Sequence, residues 1–433
     1  MSQKRPFFAT AFFTAIGRSL GVIIPFFIAI IYGANPATDA FFFAYGLIFS
    51  LMAVFTHIFE SALIPYLTEE KKEPNNLFGL ANGILLVSLP VIGIICLLIW
   101  LGLTPVLVQW GGWNGVSARL VAQLFLEMTP LLILSVWIAQ TSSVFYVEKI
   151  FWFPAFSPLI RSLVVLVFLF GVHQTFGIHA LTGGFIVGEV ARWGMALLFL
   201  FRLTTFKFQI PWRQIGGRIL IFFKQTSLQI LALVAISLLV VTDQWFGALL
   251  GPGSLSLFNY ADRLLQIPYI LFLAGFLQIY LSDWSDSYYY ESSSFFWPKI
   301  QRDTRSVFFG ALTFSIALWF GRDVVVRIIY GLGRLSGKEQ ETVANLCGWL
   351  AVSFVPGVIR LLYARVLFVM KRSLFYCMQS WCELGVKIVS NYFLVRRFGV
   401  VGIAMSTALV YSLTTLWLHF YIKKYRDETT MAQ

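Results

Sequence analysis

Charge is scarce in this chain. Only 12% of its 433 residues are Asp, Glu, Lys or Arg, about half the share of a soluble globular domain. No soluble domain is therefore available to bind ATP or nucleic acid. The sequence also lacks GxSxG, HExxH and P-loop motifs, so the common hydrolase and nucleotide-binding chemistries have no residues to act through and an enzyme is not expected. Its four cysteines, Cys96, Cys347, Cys377 and Cys382, show neither CxxC nor Cys/His ligand spacing. They read as small core residues, with no metal or cofactor implied.

What is present is apolar: 58% hydrophobic residues and a mean hydropathy of +0.79. Spans long enough to cross a bilayer run at 7–31, 38–67, 77–103, 119–147, 153–172, 180–201, 217–242, 253–282, 304–321, 341–370, 375–395 and 400–422. The expected fold is an all-α polytopic membrane protein of about twelve helices. The 38–67 span must tilt or bend, because 30 straight residues measure about 45 Å. The first span, after MSQKRP, reads as retained rather than as a cleaved signal.

Lys and Arg concentrate in the segments on the N-terminal side of the membrane, among them Lys4, Arg5, Lys71, Lys72, Arg213, Lys423 and Lys424. Both termini are therefore expected in the cytoplasm. The net charge of +12 reads as topology and contact with lipid headgroups.

Residues 1–205 read as an N-terminal six-helix lobe, 206–216 as an interfacial linker, 217–424 as a second six-helix lobe and 425–433 as a cytoplasmic tail. An offset of 222 superposes Gly111 on Gly333, Lys149 on Lys371 and Phe176-Gly177 on Phe398-Gly399. Both halves start on the same side, so the repeat is parallel. Proteins so built bind substrate between the halves, at mid-depth, in a central cavity.

Charged residues inside spans cost about 2.5 to 3.5 kcal/mol at the bilayer centre and so mark locks or pathways. Arg18, Asp262 and Arg263 lie near mid-depth. Lys224 adjoins a polar stripe of Gln225 and Gln229. Asp39 stands near the outer surface, where a gating role and a first-turn helix charge compete evenly. His57 and Glu60 share a helix face near the cytoplasmic end and read first as an interfacial pair, second as a titrating one. Glu127 with Arg161, Glu189 with Arg192, and Glu383 with Lys387 read as structural neutralisation, with Arg360 and Arg365 in or near span ten.

The pieces IGRSLG (16–21), YGANPATDAFFFA (32–44), FESALIPYL (59–67) and NYADRLLQIP (259–268) resemble the MurJ/MviN lipid II flippases, of the superfamily that includes polysaccharide-lipid flippases and MATE exporters. The resemblance implies two lobes around a central cavity in a bacterial inner membrane. It implies alternating-access transfer of an undecaprenyl-diphosphate-linked peptidoglycan precursor to the periplasmic leaflet. Membrane lipids and the cell-wall synthesis machinery are the implied partners, and membrane potential or an ion gradient the implied drive. It also implies functional roles for Arg18, Asp39 and Arg263. The chain departs from the family pattern at Ile24-Pro25, at Phe55 to His57, and at Gln266, where an acidic residue is usual. Three other readings remain: a flippase for another lipid-linked oligosaccharide, a MATE-like cation or drug antiporter requiring a net acidic cavity, and a non-transporting scaffold with its arginines locked by carboxylates.

Overall fold

The computed structural model describes residues 17, 20–59, 63–69, 74–204, 212–272, 284, 287, 293–370 and 372–431. Among them there is no strand. The helices are α1 (Leu20–Tyr32), α2 (Pro36–His57), α3 (Leu63–Glu69), α4 (Pro74–Leu98), α5 (Thr104–Trp110), α6 (Gly115–Met128), α7 (Pro130–Val147), α8 (Trp152–Phe156) and α9 (Pro158–Gly171). They continue with α10 (His173–Phe176), α11 (His179–Leu203), α12 (Trp212–Ala248), α13 (Ser254–Phe272), α14 (Ser293–Tyr330), α15 (Gly337–Val369), α16 (Ser373–Phe398) and α17 (Val401–Met431).

Every expected span falls on helix where it is described. By length and composition, 8 helices among the described residues can cross a membrane; those over the spans at 253–282, 304–321 and 375–395 are more polar. Large apolar side chains such as Leu220, Phe320, Ile328 and Phe393 stand exposed on helices, the surface that a hydrocarbon environment covers. The overlong 38–67 span is accommodated as α2 and α3, with Ile58 and Phe59 in a π turn after α2. The span expected from 304 is one helix running on to Tyr330.

Packing groups the chain into two compact units, Met1–Ile24 with Pro36–Gln244 and Pro25–Asn35 with Trp245–Gln433. The packing boundary thus lies inside α12, whereas the repeat places its boundary at the 206–216 linker. The reason is the continuity of α12. Its Phe222 meets Tyr66 edge-on at 5.2 Å, and Gln244 covers Gly46, where a Cβ would come within 2.6 Å of Gln244 Cγ. Of the cysteines, Cys347 and Cys377 are buried as expected, but Cys96 is half-buried and Cys382 exposed.

The repeat is visible in the backbone of each unit. Glu148 (φ −76°, ψ 4°) ends α7 with its N–H shared between Tyr146 and Val144. At the same offset Met370 (φ −77°, ψ 2°) ends α15 with its N–H shared between Phe368 and Val366. Gly177 (φ 55°, ψ −134°) follows α10, with its N–H donating to His173. Its counterpart Gly399 (φ 58°, ψ −140°) follows α16, with its N–H donating to Val395. Only glycine adopts this conformation without strain. Gly177→Ala and Gly399→Ala are therefore each expected to cost about 1–3 kcal/mol. Thermal unfolding in detergent should show losses of similar size at both positions.

Candidate functional site

In the second unit, α13 buries Tyr260, Ala261, Leu264 and Leu265. Tyr260 donates to the Gly33 carbonyl at 2.7 Å, and Tyr330 donates to the Tyr260 carbonyl at 3.0 Å. These two long-range bonds set the rotation of α13. Asp262, Arg263 and Gln266 consequently share its half-buried side. Arg263 Nη1 donates to Gln266 Oε1 at 2.5 Å, and Gln266 Nε2 donates to Asp262 Oδ2 at 2.8 Å. The amide thus stands between cation and carboxylate. This bridge was missed in the sequence, although the i+3 and i+4 spacings from Arg263 and Asp262 were there to be read.

In the first unit, Asp39 is buried in the first turn of α2, where its charge meets the positive end of the helix. His57 is exposed in the last turn of the same helix. On α12, Lys224 and Gln229 are both exposed. Gln229 continues the line of the buried Phe222 and Thr226, while Lys224 lies about 140° round from it. The two therefore do not share a face. Arg18, Glu60 and the Gln225 side chain lie outside the described residues.

Several of the remaining intramembrane charges pair across helices, and two pairings differ from expectation. Arg161 of α9 binds not Glu127 but Glu189 of α11, with Nη1 donating to Oε1 at 2.8 Å. Arg192 reaches the other Glu189 oxygen at 3.3 Å and donates from Nε to Ser157 at 2.9 Å. The Arg161 guanidinium also lies 5.7 Å from the Phe49 ring and 6.0 Å from that of Phe185, within cation–π range. Glu127 is instead met by His179 Nδ1 at 2.9 Å and Thr182 Oγ1 at 2.6 Å.

In the second unit, Glu383 pairs with Arg360 rather than with Lys387, its other oxygen accepting from Gln379 at 2.7 Å. Arg360 also lies 4.4 Å from the Tyr411 ring. Lys387, buried, donates to Thr407 at 2.6 Å. Offset 222 carries Arg161 onto Glu383 and Glu189 onto Tyr411. The locks thus coincide at one position only, where the charge is opposite; the counterpart of Glu189 is a tyrosine, and Arg360 falls on Ile138 of the first half.

A family model described as lipid II flippase MurJ matches residues 28–431. The chain belongs to the MurJ family. A probable lipid II flippase MurJ of Buchnera aphidicola is 25% identical, covering 98% of this chain and 83% of that protein. The lipid II flippase MurJ of Burkholderia cenocepacia is 22% identical, covering 98% and 84%. Among solved structures, lipid II flippase MurJ in an inward closed conformation aligns with TM-score 0.81 at 20% identity, over 96% of this chain and 87% of that one. An inward-facing multidrug resistance MATE transporter of the MOP superfamily reaches the same TM-score, 0.81, at 10% identity and 96% coverage of both chains. The fold is thus that of MurJ and the MATE transporters, and the protein is a multi-pass membrane member of a transport family. Within that MurJ fold the paired groups Glu189 and Glu383 are helix locks, while on α13 the Gln266 amide links Arg263 to Asp262.

Proposed function

We propose that this MurJ-family chain is a flippase for an undecaprenyl-diphosphate-linked peptidoglycan precursor, lipid II or a close analogue. The transfer runs from the cytoplasmic to the periplasmic leaflet of a bacterial inner membrane, with both termini in the cytoplasm. The observation that carries the reading is the family match over residues 28–431; the α13 side on which Arg263 stands supports it chemically. A diphosphate requires cations, and guanidinium groups bind phosphate oxygens through two parallel bonds. Arg18 and Arg263 are assigned to the diphosphate. Lys224, Gln225 and Gln229 are assigned to the headgroup on its way, and Asp39, Asp262, His57 and Glu60 to gating or coupling.

Gln266 is one partner of Arg263 that substrate can displace. An amide is a weaker competitor for guanidinium than a carboxylate, since bonds between ionised groups are roughly twice as strong as neutral ones. The drive is the membrane potential or an ion gradient, worth about 2.3 kcal/mol per charge per 100 mV, and no cofactor takes part. Lipids of the bilayer carry the polyprenyl tail, and the cell-wall synthesis machinery receives the product.

The test is lipid II translocation in cells depleted of their own flippase, with wild type and Arg18→Ala compared at matched membrane abundance. Wild type is expected to restore translocation and Arg18→Ala to lose most of it. No restoration by correctly inserted wild type would sink the lipid II assignment.

A further inference from the structure

A cavity of about 640 Å³ opens in the second unit, between the start of α14, the last third of α15 and the end of α17. Its size falls within the range of small-molecule sites. The walls are apolar, built from Trp297, Phe308, Phe309 and Ile359. Its rim is cationic: Arg305 and Lys423 line it, both exposed, and neither meets a carboxylate among the described residues. Arg426, also at the rim, is neutralised by Asp427 at 2.8 Å. The Arg305 guanidinium lies over the Phe309 ring at 5.8 Å, which leaves its N–H groups available.

A second observation is independent of charge. Thr304 lines the same cavity, and its Oγ1 is buried without a hydrogen-bond partner among the described residues. A buried hydroxyl left unpaired costs about 1–3 kcal/mol. Opposite it, Tyr363 and His419 occupy each other at 2.9 Å. The unmet hydroxyl and the unmet cations therefore sit around one apolar recess.

We propose that this recess holds one anionic phospholipid, with its phosphate at Arg305, Lys423 and Thr304 and an acyl chain along Trp297, Phe309 and Ile359. The amphipathic composition selects this occupant: apolar walls take hydrocarbon, and a two-cation rim takes a headgroup that is net negative. The start of α14 and the end of α17 both belong to the side on which Lys and Arg concentrate, so the headgroup lies in the leaflet whose surface potential draws such residues. The site does not depend on what the protein transports.

Trp297 provides the readout. The protein is placed in phosphatidylcholine nanodiscs doped with brominated phosphatidylglycerol, and the Trp297 signal is taken as the difference between wild type and Trp297→Phe. Brominated phosphatidylglycerol is expected to half-quench that signal at a much lower mole fraction than brominated phosphatidylcholine. At about five-fold per cation, Arg305→Gln with Lys423→Gln should raise the half-quenching fraction about 25-fold. Thr304→Val, which keeps the shape, should raise it about ten-fold. Arg305 and Lys423 are exposed, so their variants keep the fold; phosphatidylglycerol retained by the purified protein in native mass spectrometry gives a count independent of Trp297. Equal quenching by the two lipids, or no change in the charge variant, would overturn the site. Displacement by an equal mole fraction of undecaprenyl phosphate would overturn it too, by reassigning the recess to the carrier tail.

Discussion

Glu189→Ala is expected to remove most of the protein from the membrane fraction. Its carboxylate is 1% exposed and receives Arg161 at 2.8 Å and Arg192 at 3.3 Å. Removing it leaves two guanidinium groups in a low-dielectric interior with no carboxylate between them. Breaking a buried ion pair in this way costs about 3–5 kcal/mol, a large part of the 5–15 kcal/mol that holds a typical protein folded. Substituting Leu at both Arg161 and Glu189 should recover part of the loss, because Arg192 is then the one guanidinium of the lock left without its carboxylate. Abundance and the detergent unfolding midpoint are the measurements. A Glu189→Ala protein with wild-type values in both would show that the three-residue lock does not hold α9 to α11.

Arg263→Ala is expected to act in the opposite manner, with abundance unchanged and transport lost. The side of α13 that anchors the helix carries Tyr260, Ala261, Leu264 and Leu265, and Arg263 is not part of it. A hydrogen bond to a charged group is worth about 1.5–3 kcal/mol, so losing the fork should lower translocation about 10- to 100-fold. Arg263→Lys keeps the charge without the planar pair of donors and should fall between. Full activity of Arg263→Ala at matched abundance would end its assignment to the diphosphate while leaving the family membership untouched. Together the two variants separate charges that build the helix bundle from the charge assigned to substrate.

The contrast between those residues marks how far the linear pattern reaches. Glu189 and Arg192 were legible as partners because a spacing of three puts both on one helix face. Arg161 and Glu127 were not: each had opposite charges available on more than one neighbouring helix, and the register between helices chooses among them. The same holds for Glu383, which Arg360 takes from α15 in preference to Lys387 four residues along its own helix. Gln266 is a case where local spacing suffices: it stands three residues after Arg263 and four after Asp262, so its amide reaches both from the same helix.

Sequence alone determined the helical membrane class, the positions of the spans and the paired turns at offset 222. Each rests on local physics: an apolar run near 20 residues must bury its backbone polarity in a helix, and Gly177 and Gly399 must repeat wherever a chain turn requires their conformation. Only the tertiary structure decided which charges neutralise one another, how α12 is shared in packing, and that Trp297, Thr304, Arg305 and Lys423 surround one recess. Those contacts join residues on different helices, and their energy depends on the rotation and register of packed helices, quantities that no local pattern encodes.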